Sequence, residues 1–223
     1  MKKITNLIIV DASGSMHRKT QQVKDGLNEI LQDIRKDMKK TKGEAKIRTI
    51  VLQFSSQDWG SNGNDWYEIL IDTKKRKEIT FDCVENYNAN GGTALFDAIG
   101  LGFGMVGKKQ DGVFVSILTD GDENSSKEFK QEDVQKLLKK ADKKKWGVTF
   151  MGTTQAAVEA AKSWGISSSN TLVYADTAEG TLTANVSRMA SKAMYLSSVM
   201  EGEVKTRGLV ADQEEEDVEV DSN

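Results

Sequence analysis

Proline is missing from all 223 residues, where about 5% is usual. Proline-rich linkers and PxxP ligands are therefore excluded. Cysteine occurs once, at Cys83, so no intrachain disulfide can form and no cysteine knuckle can hold a metal. Histidine also occurs once, at His17. This removes His-rich zinc sites and leaves any Ser-His-Asp hydrolase dependent on one imidazole. The longest apolar runs fall short of the roughly 18 residues a membrane helix needs. The start, Met-Lys-Lys-Ile-Thr-Asn, lacks the apolar stretch and cleavage site of a secretory signal. The expectation is a soluble cytoplasmic protein that makes no membrane contact.

What is present is charge, at 29% of residues, and its distribution is uneven. Asp212 to Asn223 holds seven acids and no base, so a net −3 becomes +4 for residues 1–211. Like charges and scarce apolar groups predict a disordered acidic tail over 204–223, behind one domain over 1–203. The basic body does not predict nucleic-acid binding. Lys36, Lys39, Lys40 and Lys143 to Lys145 read as solvated helix faces, and no nucleic-acid-reading motif accompanies them.

Strand and helix patterns alternate along the chain. Ile4 to Val10 ends in an apolar run, as a strand buried on both faces does. Val23, Leu27, Ile30, Leu31, Ile34 and Met38 then form one helical stripe, with Gly43 closing the helix region before a strand from Ile47 to Phe54. A polar, turn-rich stretch leads to Trp66–Ile71. Two strands joined by a turn pair antiparallel, which predicts a third strand at a sheet edge. Trp59 and Trp66 flank this turn and read as core or hairpin packing ahead of a ligand platform. Ala94 to Val106 is apolar nearly all round, so it predicts a buried helix whose three glycines pack closely on the sheet. Strands follow at Val113–Leu118, Val148–Met151 and Leu172–Tyr174. Helices are expected on Val134, Leu137, Leu138 and Ala141, on Gln155 to Ser163, and on Leu182, Val186, Met189, Ala190 and Ala193. The sum is a doubly wound α/β domain: a mostly parallel six-stranded sheet with one antiparallel edge strand and helices on both faces.

In such sheets ligands sit beyond the carboxyl ends of the strands. The first strand runs into Asp11-Ala12-Ser13-Gly14-Ser15, and Val113–Leu118 runs into Thr119-Asp120-Gly121-Asp122. The buried helix is preceded by Gly91-Gly92-Thr93. Three loops thus bring two carboxylates and three hydroxyls to one edge. All are hard oxygen donors, a set that suits Mg²⁺ or Mn²⁺ rather than zinc or copper. Each motif alone also reads as a helix cap or a turn; the three together point to a metal.

Asp-Ala-Ser-Gly-Ser, then Gly-Gly-Thr-Ala-Leu, then Leu-Thr-Asp-Gly resembles the metal-ion-dependent adhesion site of von Willebrand factor A domains, over about residues 3–200. The small stand-alone bacterial or phage members are the most similar in organisation. The resemblance implies direct hydroxyl ligation by Ser13, Ser15 and Thr93. Asp11 and Asp120 would hold the ion directly or through water, and an Asp or Glu of a protein partner would complete the shell. An ATPase or an assembly component would be a suitable partner. The rim expected to set specificity comprises Met16, His17, Ser55, Asp122, Glu123 and Thr153, since each follows a strand or lies in a neighbouring loop. Two other classes compete. A phosphoesterase could use His17 or Asp122 as a base beside the metal, although no GxxxxGK loop is present and Ser13 breaks the DxDx[TV] nucleophile pattern. A self-assembling protein could place a tail acid, one of Glu214 to Glu216, in the metal site. A non-enzymatic interaction module is the expectation.

Overall fold

In a computed structural model the protein is described over residues 1–56, 66–120, 123–152, 154–173 and 178–206, apart from the side chains of 178, 179, 181–183 and 186. Six strands are found: β1 (Lys2–Asp11), β2 (Ala45–Phe54), β3 (Tyr67–Thr73), β4 (Gly112–Thr119), β5 (Gly147–Gly152) and β6 (Thr171–Val173). Five α-helices connect or follow them: α1 (Thr20–Lys40), α2 (Leu95–Met105), α3 (Gln131–Lys143), α4 (Gln155–Trp164) and α5 (Ala178–Glu201). The strand order is β3-β2-β1-β4-β5-β6, with β3 antiparallel at the edge and the other pairings parallel. The fold class is therefore the one expected, including its single antiparallel strand.

The central strand divides two cores by simple alternation, because successive side chains of a strand point to opposite faces. Leu7 and Ile9 join the core formed with α2, α3 and α4, whereas Ile8 and Val10 join the core formed with α1. On α1 the buried residues are Gly26 and the apolar Leu27, Ile30, Leu31 and Ile34, the last four being the centre of the expected stripe. Trp66 packs against the first core and meets Tyr67 edge-on at 5.0 Å, which is hairpin packing; Trp59 lies outside the described residues. The glycines of α2 divide. A Cβ on Gly102 would press on Ile9 and Leu7, so this residue does bring the helix close to the sheet. One on Gly100 would run into the Phe129 ring instead, and one on Gly104 would meet nothing within 4 Å. The close approach thus depends on one glycine rather than three.

The last helix corrects the sequence reading. Of its expected apolar stripe, Ala190 and Ala193 are exposed and Met189 is half-buried, while the side chains of Leu182 and Val186 lie outside the described residues. The buried face carries Asn185, Arg188, Ser191, Lys192, Tyr195, Ser198 and Val199. Lys192, 2% exposed, pairs with Asp33 and, at 2.5 Å, with Asp37, both on α1. Arg188 donates from Nε to Ser116 Oγ on β4 at 2.9 Å and lies over the Phe114 ring. Burial pulls its guanidinium down to about 10, against the upward pull of Asp33 and Asp37. Hydrophobic periodicity cannot find such a face, because its burial is compensated by charge partners on a helix some 150 residues earlier.

Lys192→Met should therefore lower stability by about 3 kcal/mol, the usual cost of leaving buried charges without their partner. Urea unfolding followed by circular dichroism measures it; a change within about 0.5 kcal/mol would mean that the pair is solvated rather than structural.

Candidate metal centre

Parallel register aligns the ends of three strands. Asp11 of β1 stands opposite Phe54 of β2, and Val10 stands opposite Leu118 of β4. The residues that follow, Ser13 and Ser15, Ser55, and Thr119 with Asp120, are thereby delivered to one edge. Asp11 is fully buried, at 0% exposure. Its Oδ1 accepts from the Ser13 amide at 2.7 Å, its Oδ2 accepts from the Thr119 hydroxyl at 2.5 Å, and its carbonyl accepts from the Tyr87 hydroxyl at 2.7 Å. Ser13 and Ser15 share a hydroxyl–hydroxyl hydrogen bond at 3.0 Å, and Ser15 donates to Asp120 Oδ1 at 2.7 Å. Asp11, Ser13, Ser15 and Asp120 thus form one connected group.

Thr93 reaches the same edge on a loop stitched to the first. Asn90 N–H donates to Ala12 carbonyl and Gly14 N–H to Gly91 carbonyl, both at 2.8 Å. Ser55, inside this stitch, donates to the carbonyls of Asn90 and Gly92. Gly91 is required here: its φ is +77°, and a Cβ would strike the Ser55 and Ser56 hydroxyls. From the other side, Asn124 Oδ1 accepts the Thr93 amide at 2.9 Å.

The rim reading needs correction at three positions. Met16, 1% exposed, points into the α1 core. Ser55 is fully buried as the stitch just described. Neither can touch a partner. Glu123 is half-buried and inward-facing: its carboxylate accepts the amides of Phe96, Ser125 and Ser126 and the Ser126 hydroxyl. His17 is exposed beside Ser15. Asp122 and Thr153 lie outside the described residues.

Four residues have roles here that the sequence reading did not assign. Asp97 is buried in the otherwise apolar α2, and its carboxylate accepts the amides of Lys127, Glu128 and Phe129. With Glu123 it fixes the loop that carries Asn124. A lone acid in an apolar helix was the available signal. Thr119 lies inside the Leu-Thr-Asp-Gly motif and Asn124 in the loop just after it, and their orienting contacts to Asp11 and Thr93 are what tertiary structure adds. Lys19 completes the group: its Nζ lies 2.5 Å from Asp120 Oδ2, with the two side chains 13% and 3% exposed.

These residues fit a hard divalent cation. Among the described residues, the carboxylates of Asp11 and Asp120 are buried at the edge against the Lys19 ammonium, a surplus of negative charge that burial makes costly. Burial raises the Asp11 carboxyl from 3.8 to about 6; the hydrogen bonds from Thr119 and Ser13 oppose this, and nearby Asp120 adds to it. Among the described residues no three His, Cys, Asp or Glu converge as a metal cluster, so a bound ion must draw on hydroxyls as well as carboxylates.

The profile of the von Willebrand factor type A domain matches residues 7–188. Proximal thread matrix protein 1 from the mussel byssus, solved with a zinc-occupied MIDAS motif, is similar at 16% identity and TM-score 0.59, over 85% of this chain and 47% of that one. The pilus adhesin SpaC from Lactobacillus rhamnosus GG is similar at 13% identity and TM-score 0.62, over 90% of this chain and 30% of that one. A von Willebrand factor type A protein from Catenulispora acidiphila is similar at 14% identity and TM-score 0.54, over 85% and 43%. At these identities the likeness is one of fold. This chain spans less than half the length of each of the three. No curated protein matches it.

Two outcomes follow from the geometry. Asp11 binds its proton up to about pH 6 in the folded ion-free state, so stability falls at this group as pH rises from about 4 to about 6. A cation needs the ionised form; Mn²⁺ affinity should therefore drop about fivefold between pH 6 and pH 5, with about half a proton released per ion at pH 6 and about one at pH 5, by isothermal titration in two buffers. Asp97→Ala, which leaves three amides without their acceptor, should cost about 3 kcal/mol in urea unfolding and weaken Mn²⁺ binding without removing a ligand.

Proposed function

This chain belongs to the von Willebrand factor type A domain family, and from that premise we propose that it is a metal-dependent protein-interaction module whose ion is completed by an Asp or Glu of a protein partner. The observation that carries this reading is the connected group Asp11, Ser13, Ser15 and Asp120 at the carboxyl edge of the sheet, with Thr93 on the adjoining stitched loop. These five would hold the ion. The ion supplies a Lewis-acidic centre for an incoming carboxylate. Three of the five proposed ligands are neutral hydroxyls, so the site gives the ion only two negative charges. That leaves it attractive to a third carboxylate from outside.

We take the ion to be Mg²⁺ or Mn²⁺, because every donor is oxygen and no sulfur or imidazole belongs to the group. One structural neighbour holds zinc in its MIDAS motif, which supports a divalent ion at sites of this kind in general.

The chain's own residues divide the work. Thr119 and the Ser13 amide orient the Asp11 carboxylate, and Tyr87 anchors the backbone beneath it. Ser15 links the first loop to Asp120. Asn124, held by the loop that Asp97 and Glu123 pin to α2, places Thr93. Exposed groups beside the ion, His17 and Arg18 among them, would meet the partner. We propose no catalytic step. The bases considered for one are His17, which is solvent-exposed, and Asp122, which lies outside the described residues. Among the described residues no helix is long and apolar enough to cross a membrane.

Two measurements test this. Mg²⁺ at about 100 times its Kd should stabilise the protein by about 2.7 kcal/mol, read as a rise in Tm that Asp11→Ala plus Asp120→Ala abolishes. Protein captured from a lysate on the immobilised chain in Mg²⁺ should be released by EDTA and be missing with the double variant. A Tm insensitive to Mg²⁺ and Mn²⁺ in folded protein would overturn the metal reading; metal binding with no EDTA-sensitive capture would overturn the partner reading.

A further inference from the structure

Lys19 occupies a position unlike the other basic residues of its segment. The 3₁₀ turn from Gly14 to Lys19 carries Ser15 at one end and Lys19 at the other. His17 and Arg18 between them are exposed, while Lys19 turns inward. Its ammonium takes Asp120 Oδ2 at 2.5 Å as Ser15 takes Oδ1 at 2.7 Å, so both oxygens of this carboxylate are engaged from one turn. Most lysines of the chain lie on solvated surfaces; this one is 13% exposed against a carboxylate that is 3% exposed. An ion pair so enclosed is screened far less than a surface pair.

From this geometry we infer that Lys19 is a tethered counter-cation for the ion-free site, displaced from Asp120 when a divalent ion binds. The inference rests on the metal reading given above. A divalent ion and an ammonium repel each other, and they cannot both hold Asp120 at contact distance without that repulsion acting at close range. The ammonium is the one that can leave, because it sits on a flexible four-carbon stem where the 3₁₀ turn meets α1, whereas the carboxylate is buried. In the ion-free protein Lys19 neutralises Asp120 and keeps it oriented, so the site does not collapse or swell with water. The same contact lowers the apparent affinity for the ion, since only the fraction of molecules with Asp120 released is competent to bind. Once displaced, the ammonium joins His17 and Arg18 at the exposed edge and adds positive charge where an acidic partner group would approach.

The test uses the full-length protein and two readouts. The first is acylation of lysine amines by an activated acetyl ester, with and without saturating Mn²⁺, quantified by peptide mass spectrometry and with exposed Lys36 as internal reference. Lys19 modification should rise severalfold with Mn²⁺ while Lys36 stays constant; an unchanged or lower value overturns the inference. The second is calorimetric titration of Mn²⁺ into wild type, Lys19→Met and Lys19→Gln. Both variants should bind about tenfold more tightly, the change expected when the competent arrangement is about one-tenth populated in wild type, and both should lose stability without the ion. Equal or weaker binding in the variants overturns the displacement and would make Lys19 a residue that positions Asp120 for the ion, with the metal reading intact. No binding to any of the three proteins overturns the metal reading and this inference together.

Discussion

Parallel pairing of β1 with β2 and β4 is the constraint from which the candidate site follows. Strand ends set in register place Asp11, the Ser55 stitch and Thr119 with Asp120 side by side without further instruction from the loops. Neighbouring strands are about 4.8 Å apart, so side chains at adjacent ends meet at hydrogen-bonding range. The Thr119 hydroxyl on the Asp11 carboxylate is the direct trace of this: the two residues are 108 positions apart in sequence and neighbours across the β1–β4 ladder. Alternation along β1 then gives each sheet face its core, which makes the strand end rigid enough to hold a buried carboxylate.

Charge is handled in the same manner at two distant places. Lys192 on α5 is buried against Asp33 and Asp37 of α1, and Lys19 is half-buried against the enclosed Asp120 carboxylate at the sheet edge. In each case enclosure makes the pair consequential, since an exposed pair contributes little. The consequences differ because the settings differ. Lys192 sits between two long helices, where nothing can replace it. Lys19 sits at the end of a short turn, beside solvent and beside a group of hydroxyls suited to a competing cation.

Much of the architecture was legible because it is written in local periodicity. The continuous apolar run of β1, the 3.6-residue stripe of α1 and the turn-linked pair that becomes β2 and β3 each carry their own signal. α5 shows where such a signal misleads. Its apolar residues Ala190 and Ala193 face solvent, while Arg188 and Lys192 face inward. The partners that make this tolerable lie on α1 and β4, far away in sequence. Met16 and Ser55 show the same limit at the site: adjacency to a motif suggested a surface role, and tertiary packing buried both.

By itself the sequence determined the order of elements, the doubly wound class, the antiparallel edge strand and the oxygen-only chemistry of three separate loops. These follow from residue type and spacing, which act over a few residues. The tertiary structure alone decided which carboxylates are buried, which residues fix the loops, and where Lys19 points. Asp97 and Glu123 became loop anchors, and Lys19 became the partner of Asp120, through contacts spanning about 30 to 100 residues. The physical reason is that the energy of a charge depends on its surroundings, and those exist only once the sheet has brought distant segments together.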